Sequence, residues 1–226
     1  MLRDLNIETV MDTSKHNLTT QFFTPLLSNS VRYDRGVGFF SSGWLRINGD
    51  GMTVFANNGG KARWITSPIL DESDWQALQM GDAAREDFTL RMALKRNIAL
   101  LSEGIQRDVL SALAWMVADE IITFKLAVPQ EKLDQGDFHD KFGAFTDAQG
   151  NQIAFNGSYN DSIQGTRNFE SITIFSSWEP KFSLIVQQIT DRFERLWNNA
   201  EPNVRVYDLP EAAREQILRL RTGTRP

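Results

Sequence analysis

His139 and Lys141 stand two apart in the run Phe138–Thr146 (FHDKFGAFT), and Ser158 and Asn160 stand two apart in NGSYN. Side chains two apart on a strand point the same way, so an imidazole and an ammonium would share one face. Asp147–Asn151 (DAQGN) between the two runs reads as a hairpin turn. A hairpin would bring all four groups to one end of a sheet. That set suits phosphoryl chemistry. A neutral imidazole can attack phosphorus. A lysine, a hydroxyl and an amide can hold the non-bridging oxygens as charge grows on them. Glu170 opens the next apolar run. It could accept a hydrogen bond from the far ring nitrogen of His139 and fix its tautomer.

These residues need elements to position them. Residues 1–30 read as an opening helix or loop, then an amphipathic segment around Phe22, Phe23, Leu26 and Leu27. Val31–Phe40 alternates before turning apolar, as a strand entering a core does. Trp44 and Leu45 start a helix. Gly49–Gly51 and Asn57–Gly60 read as turns, with Met52–Ala56 between them a helix end or a short strand. Ala62–Ser67 reads as a buried strand stopped by Pro68. Residues 71–118 read as helical: Asp71 or Ser73 can cap the start, and Leu94, Ile98, Leu101, Ile105, Val109, Leu113 and Met116 recur at helical steps. Ile121–Val128, Phe138–Thr146, Gln152–Gly157 and Glu170–Ser176 follow as strands. Pro180 opens a helix to Trp197, Val204–Tyr207 is a last strand, and Glu211–Leu220 a terminal helix. The reading is one α/β domain over 1–208, with 209–226 a C-terminal helix and a basic tail, RLRTGTRP.

The run His139-Asp140-Lys141, followed by Asn156-Gly157-Ser158-Tyr159-Asn160, resembles the HxK…GSxN motif of the phospholipase D superfamily. Glu170 sits where nuclease members carry a downstream Glu. More loosely, VRYDRGVGFFSSGWL and KARWITSPI are similar to the opening of phospholipase D-like domains that precede superfamily-2 helicase modules in bacterial restriction and phage-defence proteins. The resemblance implies a mixed central sheet flanked by helices, with one motif per chain. It implies a phosphodiesterase, foremost an endonuclease on DNA, working through a phosphohistidine on His139 with no metal or other cofactor. Lys141 and Asn160 would bind phosphate, Ser158 and Asn156 would support substrate binding, and Glu170 would orient His139. The family's Asp after the Lys is missing: the usual step lands on Thr146, with Asp147 next. That weakens the lipase branch more than the nuclease branch. The family's site also needs a second histidine. The other one here is His16, in SKHNL, which has no Lys two residues on and no GSxN behind it. Two protomers about a twofold axis would bring two copies of His139 together, so a homodimer is implied. The basic tail would lead toward a helicase module, in cis or in trans.

Composition sets the bounds. Zero Cys excludes disulfides, thiolate zinc sites and a cysteine nucleophile. No stretch approaches the ~20 apolar residues of a membrane span. Met1–Thr9, with Arg3, Asp4 and Glu8, lacks a signal-peptide core. A soluble, cytoplasmic protein with no membrane partner is expected. A net charge of −5 counts against a surface coated for nucleic acid, but Arg32, Arg35, Arg46, Lys61 and Arg63 could line a local phosphate-tracking groove. Phe39, Phe40 and Trp44 read as core. Asp134, Asp137, His139 and Asp147 hint at a metal cluster, against which Lys141 would project its own charge. His16 reads as a surface residue. Two competing functions stand beside the nuclease. A phospholipase or phosphatidyltransferase would want an apolar, membrane-facing entrance. A module that binds DNA or a partner without cutting would not need His139, Lys141 and Asn160 intact.

Overall fold

A computed structural model describes residues 1–38, 40, 42–67, 107–130, 133, 136–209, 218 and 221. Eight strands form one sheet: β1 (Val10–Asp12), β2 (Arg32–Val37), β3 (Lys61–Thr66), β4 (Ile122–Pro129), β5 (Phe142–Thr146), β6 (Gln152–Gly157), β7 (Ser171–Ser176) and β8 (Val204–Asp208). Their order is β1-β7-β6-β5-β2-β3-β4-β8. The β2–β3 and β3–β4 pairs are parallel and the other pairs antiparallel, giving the expected mixed α/β sheet.

Helices cover both faces. On one side lie α1 (Thr24–Ser28), α2 (Ser42–Ile47), α3 (Gly49–Asn57) and α4 (Arg107–Ala118), over a core of Phe22, Phe23, Tyr33, Trp44, Phe55, Trp64, Phe145 and Phe155. Tyr33 and Phe145, opposite each other on β2 and β5, stack at 4.2 Å between ring centroids. On the other side α5 (Pro180–Trp197) packs Val186, Ile189, Phe193 and Leu196 onto Phe142, Ala144 and Ala154. Steps of three and four put those residues on one stripe, and Pro180 takes the first-turn position its missing N–H suits.

Several sequence expectations change. Val10–Asp12 is an edge strand that the reading of residues 1–30 lacked. Gly49–Gly51 opens α3 instead of making a turn, and Met52–Ala56 is helical. The expected strand Phe138–Thr146 starts at Phe142; residues 138–141 lead into it. Of the expected 71–118 helical stretch, Arg107–Ala118 is a helix and buries Leu113 and Val117. Residues 71–106, Pro68, Phe39 and Asp134 lie outside the described residues, as does the 209–226 segment apart from Leu209, Leu218 and Arg221.

Candidate active site

One edge of the sheet collects every motif residue. Strands β2, β3, β4 and β6 end there and β5, β7 and β8 begin there: Gly36 pairs with Phe142, Phe142 with Asn156, and Gly157 with Ile172. The last hairpin bond, from Gly157 N–H to Lys141 O at 3.0 Å, sets Lys141 beside the start of the GSYN loop. Ser158 N–H then donates to Ser171 O (3.0 Å), which draws the loop to Glu170.

His139 and Lys141 do come together. Lys141 Nζ lies 3.1 Å from His139 Nδ1 and 3.3 Å from Nε2, and donates to His139 O at 2.7 Å. Asp140 turns the other way, pairing with Arg192 of α5 at 3.1 Å. This is the alternation expected of an extended run. His139 is exposed while Lys141 is buried. Burial lowers the Lys141 pKa; Arg35 lowers it further, and Glu170 and Asp140 oppose the shift. Glu170 and Lys141 are therefore within electrostatic reach of each other.

The GSYN loop is held from beneath by a charge pair. Arg35, on β2, is fully buried. Its Nε and Nη2 donate to the Asp161 carboxylate at 2.8–3.2 Å. Nη2 also donates to Tyr159 O (2.7 Å), and Nη1 to Phe142 O (3.1 Å). Asp161 is likewise fully buried and takes a further bond from Trp64 Nε1 at 2.8 Å. One guanidinium thus ties the residue after Lys141 to the residues on either side of Asn160. Close packing fixes the loop at two more points. A Cβ on Gly157 would lie 2.0 Å from Ser171 O, and one on Gly165 would lie 2.6 Å from Asn160 O.

Ser158 and Asn156 are exposed at this edge. Ser158 Oγ accepts from Ser171 N–H (3.1 Å), leaving its own proton to donate outward. The Glu170 carboxylate accepts from Asn168 Nδ2 at 3.3 Å. Among the described residues, no hydrogen bond joins it to His139.

Several other charged residues have structural partners in place of the expected roles. Arg35 cannot track phosphate, because it is locked in the core. Arg32 and Arg63 grip Asp34 and Glu194 on the α5 face, and Lys61 donates to Asp119 O. Asp147 instead ties the β5–β6 turn, accepting from the N–H groups of Leu2, Gln149 and Asn151. Burial raises its pKa, but these bonds and the Asn151 amide outweigh burial and hold it below the ordinary carboxyl range. His16 is only 12% exposed, with Nδ1 accepting from Asp12 N–H (3.1 Å) and Nε2 3.5 Å from Glu8. It follows β1, which is three strand spacings, roughly 14 Å, from β5. Phe40 and Trp44 are core, as expected. Asp161 and the core placement of Arg35 go beyond the residues that the motif alone points to. The available signal was a charged residue inside an apolar strand and an acid directly after GSYN. Among the described residues, no three His, Asp or Glu side chains gather as metal ligands would, and no helix is long and apolar enough to cross a membrane.

No protein-family model matches the sequence, and comparison with curated proteins gives no match. Solved structures do match the fold. NucT from Helicobacter pylori, a phospholipase D superfamily member, superposes with a TM-score of 0.50 at 10% identity, over 88% of this chain and 99% of that one. Nuc from Salmonella typhimurium, a phospholipase D family member, gives 0.46 at 11% identity, over 88% and 97%. Phosphatidylserine synthase from Haemophilus influenzae gives 0.48 at 12% identity, over 93% of this chain and 44% of that one. The fold is that of the phospholipase D-like domains.

Proposed function

We propose that this chain is a metal-independent phosphodiesterase that cuts nucleic acid, DNA foremost, through a phosphohistidine at a homodimeric site, in bacterial restriction or phage defence. The observation that carries the proposal is the buried Lys141 ammonium beside the exposed His139 ring, at the sheet edge where the GSYN loop is pinned. A ring nitrogen of His139 attacks phosphorus, forming a P–N bond as the P–O bond to the leaving oxygen breaks. His139 of the second copy gives that oxygen its proton. Water then attacks the phosphorus, the P–N bond breaks, and the water's proton passes to the second histidine. Lys141, Asn160 and the outward Ser158 hydroxyl hold the non-bridging oxygens, with Asn156 at the rim. Glu170 swings from Asn168 to orient His139. His16 is held by Asp12 N–H and Glu8 and has no lysine two residues on, which supports a second copy as the source of the acid.

The test is cleavage of a plasmid and a labelled single strand in excess EDTA, comparing the native chain with His139→Ala. Cutting that survives EDTA and disappears in the variant supports the mechanism. Cutting abolished by EDTA refutes it.

A further inference from the structure

We infer that Phe169 and the adjoining groove form a base-stacking subsite for an unpaired nucleic-acid strand, an inference that rests on the nucleic-acid reading above. Phe169 is 76% exposed, the most exposed bulky apolar side chain among the described residues. It directly precedes Glu170 at the catalytic edge. Its backbone is nonetheless clamped on both sides by one residue. Thr13 Oγ1 donates to Asn168 O (2.6 Å) and accepts from Glu170 N–H (2.9 Å), while Thr13 N–H donates to Glu170 O (2.9 Å). Gln164 Nε2 holds the Asn168 side chain at 2.8 Å. An aromatic ring kept in water on a fixed backbone is preorganised to receive a flat partner.

The surroundings indicate which partner. The residues that precede Phe169 in the chain, Thr166, Arg167 and Asn168, are exposed and polar, whereas a protein interface core is apolar. Thr13 also begins one wall of a groove of about 670 Å³, lined by Lys15, His16, Asn17, Tyr159 and Thr166 among others. Tyr159 comes from the GSYN loop and Lys15 is exposed, so the groove lies between that loop's base and a cation. A charged backbone lying in that groove, with a base on Phe169, uses both features. Only an unpaired base offers a free face to the ring, because in a duplex both faces are already stacked.

The experiment measures binding by fluorescence anisotropy in the full chain carrying His139→Ala, which prevents turnover. The probes are a short mixed-sequence single strand, an abasic strand of equal length, and a duplex. Adding Phe169→Ala is expected to weaken the single strand roughly tenfold, to leave the abasic strand unchanged, and to be rescued by Phe169→Trp. Lys15→Ala is expected to lower the salt slope of all strand binding by about one. Equal losses on the normal and abasic strands would overturn the subsite. So would a Phe169→Ala chain that sediments as monomer where the parent is a dimer, since the ring would then face a second copy. Absence of binding by every variant, the parent included, would overturn the nucleic-acid reading itself.

Discussion

Arg35→Lys would keep a positive charge beside Asp161 but remove the fork. The guanidinium serves the Asp161 carboxylate, Tyr159 O and Phe142 O from one fixed plane. A shorter ammonium stem can reach the carboxylate but leaves both buried carbonyls without their donor. Each lost bond to the charged fork is worth about 1–3 kcal/mol, so the loss sums to about 2–6 kcal/mol. At roughly 2–4 °C per kcal/mol for a domain of this size, the melting midpoint should drop by about 4–24 °C. The same two carbonyls tie Lys141's neighbour to Asn160's neighbours. Their release loosens the spacing of the phosphate-holding groups, and kcat should fall by roughly a hundredfold. Circular dichroism melts give the first number. Cleavage kinetics, run well below both midpoints with kcat and KM separated, give the second. Asp161→Asn, which strands a buried guanidinium, should cost about 3–5 kcal/mol. A lowered midpoint with kcat intact would show that the pair only braces the core. An unchanged midpoint would refute the burial argument.

Gly157→Ala would set a methyl group 2.0 Å from Ser171 O; the hairpin must part from β7, and activity on any phosphodiester should fall at least tenfold, read beside a melt that locates the damage. Because Lys141 is held below the ordinary lysine range, its phosphate-holding charge is lost earlier as pH rises; a pH–rate profile should show an alkaline limb, and Glu170→Gln should move it to lower pH by removing an opposing charge. Asp147 sits below the ordinary carboxyl range, so its stabilisation is present above that range and lost as pH falls through the folded-state value; Asp147→Asn should cost about 2 kcal/mol at neutral pH and flatten the acid limb of a denaturant titration. Mixing native chains with excess His139→Ala chains and letting subunits exchange should depress cutting toward the square of the native fraction; a linear decline would point to a site complete within one chain.

Much of the sheet was legible because its strands announce themselves locally. DAQGN marks the hairpin, and Ala62–Ser67 and Ile121–Val128 are apolar runs bounded by breakers, as buried parallel strands are. The amphipathic stripe of α5 repeats at helical steps over its whole length. Val10–Asp12 carried no such signal: three residues on an edge show no periodicity, and only pairing with β7 defines them. Phe138–Lys141 shares the composition of β5, but the ladder stops where β2 ends at Val37 and β6 at Gly157. His139, Lys141, Ser158 and Asn160 were visible because their chemistry and spacing are local. The Arg35–Asp161 pair was not. Its partners are 126 residues apart, and a buried charge looks like a surface charge until the fold closes over it.

That separation also governs the order in which the molecule can form. On the ribosome, β1 to β4 emerge first, and Arg35 emerges with them. A partial sheet of those strands would have to bury an unpaired guanidinium or leave its aromatic core open. It would also leave the β2 edge bare until β5 arrives. Neither state is stable, so the two halves must settle together once Asp161 has been made. A chain broken off before that point does not become a folded protein lacking its active site.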